Sequence, residues 1–545
     1  SLALVYEDGK DFDRAIDLHR QSQAIAQTLS NPELQARSLN NLGHALLSAG
    51  KLPAAAAQLR AAFQLLDTLR PDLSDTYRVS IFDTQVHTYN LLQQILIADN
   101  QPEAALEASE QGRARAFVEL LARRQFTESS AKAAAKPSET ALSIDRIRQI
   151  AKAQNATLVE YAIVPDDDFK FRGKQRAKRE EALLIWVVTP TGKVTFRRVD
   201  LKPLWKQNLN LKSLVDTARC LDGSSVCEAL RQAVQGLDVE PQPTDPPSAT
   251  VNQTNPGLQK LHQLLIAPIA DLLPADPSDR VIFIPQDSLF LVPFAALQTE
   301  SGQYLIEQHT LLTAPALQVL EITHTLKRSG FHLFDAALIV GNPTMPEVVL
   351  RAGKPAVALP PLMGSEAEAE AIAKLLQTTA LIGAAATETQ IMQKLPQATL
   401  VHLATHGLLE YGTEPLLQGL GVPGAIALAP TGDNDGLLTA NEILKLRLQA
   451  ELIVLSACDT GQGRITGDGV IGLSRAFISA GVPSLVVSLW AVPDAPTAAL
   501  MTQFYRSLQQ NPDRAIALRQ AMQATLKDYP NPLDWAAFTL IGEAK

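Results

Sequence analysis

The sequence predicts a multidomain protein in which an all-α region of repeated helix pairs precedes an α/β region built on a mainly parallel sheet. Three observations predict it. A glycine-centred turn recurs within the first 124 residues, the apolar period shifts from helical to strand-like beyond residue 140, and strand-length runs alternate with helix-length runs from Ala336 onward. Alternation of that kind gives parallel strands covered by helices on both faces.

With 545 residues and 46% apolar content the chain has material for roughly two to four packed domains. A net charge of −9 argues against nucleic-acid binding through phosphate contacts, and no apolar run approaches the roughly 20 residues of a membrane span. Three cysteines, Cys220, Cys227 and Cys458, are too few for a disulfide scaffold and point to a reducing, cytoplasmic setting. The chain opens at Ser1, without a Met and already inside a helical repeat, so it reads as a piece of a longer protein.

Residues 1–125 form the repeat region. Asp8-Gly9-Lys10-Asp11-Phe12-Asp13-Arg14-Ala15-Ile16 aligns with Ala49-Gly50-Lys51-Leu52-Pro53-Ala54-Ala55-Ala56-Ala57 at a spacing of 41 residues, and a looser copy begins at Asp99-Asn100-Gln101-Pro102. Glycine at the turn lets antiparallel helices reverse, and Ala15, Ala56 and Ala105 permit their close approach. With Asn41-Leu42-Gly43-His44-Ala45 in the preceding helix, this resembles tetratricopeptide repeats with long helices. Such repeats stack into a concave surface that holds peptides or a neighbouring domain.

Residues 126–139, rich in Ala, Ser and Lys, are a linker. Thr157–Ile163 and Ala182–Val188 then read as a hairpin with Val194–Val199 as a third strand, and the charge run between Asp166 and Glu181 as a solvated loop. Cys220 and Cys227 have neither Cys-x-x-Cys spacing nor a second pair, which makes them ordinary thiols. The proline-rich stretch Pro241–Pro256 is an excursion, followed by a helix over Leu258–Leu273 and a strand over Arg280–Pro285.

From Ala336 the alternation is regular. Ala337–Pro343 is a strand, and Ser365-Glu366-Ala367-Glu368 has the capping-box pattern of a helix start. Leu381–Gly383 is a short strand, and Thr387–Leu395 a helix leading into Leu400-Val401-His402-Leu403-Ala404-Thr405-His406-Gly407. Thr439-Ala440-Asn441-Glu442 caps the next helix, which leads into Leu452-Ile453-Val454-Leu455-Ser456-Ala457-Cys458-Asp459-Thr460-Gly461. A glycine-rich loop over Gly461–Gly472, a helix over Leu473–Ser479, a strand over Ser484–Trp490 and two further helices precede Trp535–Gly542.

The two apolar runs ending at His406 and Cys458 carry the candidate chemistry. In open α/β sheets ligands gather beyond the carboxyl ends of the strands, so two such strands can bring an imidazole and a thiol to one cleft. A free thiol is mostly un-ionised at neutral pH; an adjacent imidazolium stabilises the thiolate and later protonates a leaving amine. Gly407 lets backbone approach a substrate, so its N–H and that of Cys458 are the candidate oxyanion donors. His402, mid-strand in an apolar run, reads as a core histidine, and His402 with His406 cannot clamp a metal because four strand residues span about 13 Å. Gly461–Gly469 lacks the Gly-Lys-Ser/Thr ending of a phosphate loop. No cofactor and no metal are expected.

His402–Gly407, Leu455–Gly461, Gly472-Leu473-Ser474-Arg475-Ala476-Phe477, Ser488-Leu489-Trp490-Ala491-Val492-Pro493-Asp494 and Trp535-Ala536-Ala537-Phe538, in this order, resemble the CHAT domain, a caspase-like, separase-related peptidase domain found with tetratricopeptide repeats. Pro285–Leu297 and Gly341-Asn342-Pro343 are similar to its upstream part. The resemblance implies two caspase-like subdomains, a non-catalytic half at 140–335 and a catalytic half at 336–545, with His406 as acid/base and Cys458 as nucleophile. Asp468 departs from the family's usual Glu. The resemblance further implies cleavage after a basic residue held by Asp494 or by its rival Asp459, although Asp494 also suits a cap for the following helix. The expected partners are a protein substrate and a regulatory protein held by the repeats, with no nucleic acid and no membrane. The alternative from another class is a catalytically silent interaction scaffold.

Overall fold

The computed structural model describes residues 2–29, 31–68, 88–113, 117–118, 121, 142–166, 179–219, 255–326, 332–349, 355–408, 424–432, 434–456, 464–466, 469–490 and 493–545. The expected linker, most of the charge run and of the proline-rich excursion, and Cys220, Cys227, Cys458, Asp459 and Asp468 lie outside the described residues.

The chain begins with α1 (Leu2–Asp8), α2 (Phe12–Thr28), α3 (Pro32–Ser48) and α4 (Leu52–Thr68); residues 88–98 are helical and α5 (Pro102–Gly112) follows. The turns before α2, α4 and α5 each put one residue in the left-handed region: Lys10, Gly50 and Asn100, at φ +60°, +72° and +58°. Their closing bonds match, from Asp11 N–H to Tyr6 O, Lys51 N–H to Leu46 O and Gln101 N–H to Leu96 O. The structural repeat therefore aligns Gly50 with Lys10 rather than Gly9, a spacing of 40 residues between the first two turns. Five residues beyond each left-handed residue stand Ala15, Ala55 and Ala105, each fully buried, and Ala56 is buried beside Ala55. Glu7 ties three helices together, with Oε1 2.7 Å from His19 Nε2 and Oε2 2.9 Å from His44 Nδ1. Burial alone would raise its pKa, but the two histidines outweigh that and hold the carboxyl at about 2.

The α/β region runs through α6 (Ile144–Gln154), β1 (Ala156–Pro165), β2 (Glu180–Val188), β3 (Val194–Asp200), α7 (Leu211–Arg219) and α8 (Pro256–Leu265). The helix expected to reach Leu273 ends at Leu265, and a 3-10 turn over Ala267–Leu272, with Pro268 near its start, replaces the rest. Then come β4 (Arg280–Ile284), β5 (Thr310–Thr313), α9 (Leu317–Leu326), β6 (Ala337–Pro343), the small pair β7 (Glu347–Val348) and β8 (Val357–Ala358), α10 (Met363–Leu375), β9 (Ala380–Gly383) and α11 (Glu388–Lys394). The last part holds β10 (Leu400–Ala404), β11 (Gly407–Leu408), β12 (Ala425–Ala427), β13 (Leu437–Thr439), α12 (Ala440–Ile443) and β14 (Leu452–Leu455). It ends with β15 (Arg464–Thr466), β16 (Gly469–Ile471), α13 (Leu473–Ser479), β17 (Ser484–Ser488), α14 (Asp494–Gln510), α15 (Arg514–Asp528) and β18 (Phe538–Gly542). Part of the glycine-rich segment expected as a loop is thus an antiparallel hairpin, β15 on β16.

Eleven strands form one sheet in the order β3-β2-β1-β4-β5-β18-β17-β14-β10-β6-β9. Its two edge pairings at β3-β2-β1 and the β17-β18 pairing are antiparallel, and all other neighbours are parallel. The C-terminal strand β18 sits between β5 and β17, so the two halves expected on either side of residue 335 share a continuous sheet. Strands buried on both faces read as uninterrupted apolar runs, as β4, β14 and β17 do.

The repeats dock on this sheet through a buried polar seam. Arg113, just past α5, donates to the carbonyl oxygens of Pro285 and Tyr161 and lies against Glu110 and Glu160. Glu110 accepts from Leu317 N–H at the start of α9, and Trp186 Nε1–H donates to Pro102 O. Farther on, Phe117 and Leu121 join the core around α13, where the Arg475 guanidinium lies 5.4 Å from the Phe117 ring centre.

Candidate active site

β10 and β14 are adjacent and parallel, in a register that pairs Leu400 with Leu452 and continues to Leu403 with Leu455. Ser456 N–H then donates to Leu403 O. The offset of 52 residues is the separation between His406 and Cys458, so both positions lie three residues beyond the last ladder pair. Cys458 and Asp459 lie outside the described residues; the chain is followed to Ser456, two positions before the thiol.

His406 is placed by backbone. Its carbonyl accepts from Ala427 N–H, and Thr405 Oγ1–H donates to Ala427 O, which fastens the end of β10 to the small sheet β11-β12-β13. Gly407 faces Ile426 across the β11–β12 ladder. Because the closing bond runs to His406 O, Gly407 stands in a non-hydrogen-bonded pair, with its N–H directed away from β12.

The His406 imidazole, partly exposed, has Nε2 at 2.8 Å from the carbonyl oxygen of Pro360. A carbonyl only accepts, so Nε2 carries the proton, and in the neutral ring Nδ1 holds the lone pair. Pro360 was not singled out from the sequence. The only signal for it is the Pro360-Pro361 pair before a helix, since a backbone acceptor has no residue-type signature.

His402 is the buried histidine its apolar run predicts. Its Nδ1 lies 3.1 Å from Tyr505 Oη and its Nε2 3.1 Å from Glu368 Oε1, with Glu368 3% exposed and the other two fully buried. Burial first, and the Glu368 carboxylate second, raise the Tyr505 phenol well above its ordinary pKa, so it stays a donor. Glu368 was expected to close a capping box with Ser365. Instead α10 begins two residues earlier, Leu362 is its N-cap without a side-chain bond, and Glu368 points inward to His402. The Thr439–Glu442 capping box forms as expected.

Asp494 opens α14, where Pro493 is the N-cap residue, so Asp494 is not the cap that its position also suited. Its carboxylate lies against Gly364 on α10: a Cβ built on Gly364 would come within 2.0 Å of Asp494 Cγ. Asp494 is exposed. No group of three or more metal-ligating side chains occurs among the described residues.

Residues 255–543 match the CHAT domain family, more than half of the chain, and residues 1–68 match the tetratricopeptide repeat family. The chain belongs to the CHAT domain family. Over 94% of its length this CHAT protein is 27% identical to Tetratricopeptide repeat protein 28 of Mus musculus, and equally to that of Homo sapiens; it spans about a quarter of the length of both relatives. Among solved structures it is similar to Saccharomyces cerevisiae separase, crystallised in a separase–securin complex. That likeness has 12% identity, a TM-score of 0.47, and covers 90% of this chain and 37% of separase. Among the described residues no helix is long and apolar enough to cross a membrane.

Proposed function

We propose that this CHAT protein is a cysteine endopeptidase acting through His406 and Cys458. The register of β10 on β14 supports the reading: the two strands are adjacent and parallel, Leu403 is level with Leu455, and His406 and Cys458 each follow three residues later in the sequence, beyond the carboxyl end of a parallel ladder. His406 Nδ1 takes the Cys458 proton, and the thiolate adds to the scissile carbonyl carbon. The resulting oxyanion is met by the N–H groups of Gly407 and Cys458. Collapse of the adduct breaks the C–N bond, His406 protonates the departing amine, and water then hydrolyses the thioester with His406 as base.

Asp494, with Asp459 as the rival, would hold a basic side chain before the cut. The repeats would bind a regulatory protein, and the buried seam at Arg113 joins that surface rigidly to the sheet. The same seam suits the second reading, a catalytically silent interaction scaffold.

The test is to incubate wild-type and Cys458→Ala protein with cell lysate and read new protein termini by mass spectrometry. The peptidase reading expects termini found only with wild type and clustered after Lys or Arg; equal sets from both proteins favour the scaffold.

A further inference from the structure

Asn342 lies one residue beyond the β6–β10 ladder, whose last pair joins Gly341 to Ala404, two residues before His406. Its backbone is left-handed, φ +38°, a conformation Asn tolerates better than most residues. The side chain is 8% exposed and fully engaged by the start of α10. Oδ1 accepts from Leu362 N–H at 2.7 Å, and Nδ2 donates to Glu366 Oε2 at 2.8 Å, with Met363 Sδ at 3.8 Å.

Leu362 is two residues from the Pro360 carbonyl that receives the His406 proton, and the intervening Pro361 has a fixed φ. Holding Leu362 therefore sets the direction of that carbonyl. Two further anchors hold the body of α10, Gly341, against which Ser365 O and Ala369 Cβ lie, and Glu368 facing His402, whereas Asn342 bonds directly to Leu362.

We infer that Asn342 is a positioning residue for His406, acting through Leu362 and the Pro360 carbonyl to fix the tautomer with the proton on Nε2 and the lone pair on Nδ1. Its value to catalysis rests on the Cys458–His406 reading; its effect on the His406 ring does not. A merely structural role would cap Leu362 and leave the imidazole unchanged.

The test uses the full chain labelled with 15N-histidine, with the His406 signal assigned by its loss in His406→Gln. Asn342→Gly keeps the left-handed backbone and removes the bridge, while Asn342→Asp keeps the acceptor for Leu362 and loses the donor to Glu366. In wild type the ring shows a single Nε2–H tautomer. In Asn342→Gly the two ring nitrogens are expected to move toward an averaged shift, and alkylation of Cys458 by iodoacetamide to slow about tenfold; Asn342→Asp should fall between. An unchanged His406 tautomer in a folded Asn342→Gly protein, whatever its melting temperature, overturns the proposal. A shifted tautomer with Cys458 alkylation insensitive to His406→Gln keeps the positioning role and refutes the dyad.

Discussion

His406 Nε2 and the Pro360 carbonyl oxygen meet at 2.8 Å across the open end of the sheet, one group on a strand terminus and the other on the approach to α10. The contact depends on how closely α10 sits. A Cβ on Gly341 would stand 2.4 Å from Ala369 Cβ and 2.5 Å from Ser365 O, the latter a backbone atom that cannot swing aside. Gly341→Ala should therefore lift α10, lower stability by about 1–3 kcal/mol in urea unfolding, and slow Cys458 alkylation. Unaltered stability would show that α10 can shift freely.

Glu368→Ala should destabilise by about 1–3 kcal/mol, because it leaves His402 Nε2 buried without its carboxylate. The same measurement on Glu368→Gln should show a smaller loss, since an amide oxygen can still face the ring. Equal losses in both would mean that packing, not polarity, governs this site.

Glu110 and Glu160 give a pH dependence of definite sign. Burial raises the Glu110 carboxyl well above its ordinary range and the neighbouring Glu160 raises it further, against the opposing Arg113; burial also raises Glu160. A carboxyl whose folded pKa is raised binds its proton more tightly in the native state, so the contribution of this pair to stability is fully present below about pH 4.5 and is lost as pH rises through the folded pKa. Glu110→Gln, which keeps an acceptor for Leu317 N–H, should flatten the loss of stability between pH 5 and 8. A wild-type melting temperature that rises over that interval, with the same rise in the variant, would contradict the assignment.

Asp494→Asn should reduce cleavage after Lys and Arg about tenfold or more while leaving Cys458 alkylation unchanged, as expected for loss of a substrate contact rather than of the dyad. A peptide-library profile preferring apolar or acidic residues at that position would exclude Asp494 and Asp459 together from this role.

The helical repeats, the strand order of types and the core character of His402 were legible because each rests on apolar periodicity, a local property of the chain. The shared sheet was not, because the seat of β18 between β5 and β17 is a long-range pairing with no local mark. The same holds for Glu368: Ser365 and Glu368 have capping-box spacing, yet Glu368, the sixth residue of α10, faces His402, and burial beside an imidazole overrode the local pattern. Pro360 and Asn342 act through main-chain groups and a left-handed turn, neither of which residue type alone announces. Gly9 was aligned with Gly50 by identity, whereas the turn geometry selects Lys10.

The proposed peptidase chemistry requires that His406 activate the Cys458 thiol. The direct measurement is the pH profile of iodoacetamide alkylation at Cys458, followed by mass spectrometry alongside Cys220 and Cys227, in wild type and His406→Gln. Cys458 should react well below pH 8.5, the ordinary thiol range, and faster than the other two cysteines, and His406→Gln should abolish this advantage. A Cys458 profile that coincides with those of Cys220 and Cys227 and does not respond to His406→Gln would contradict it.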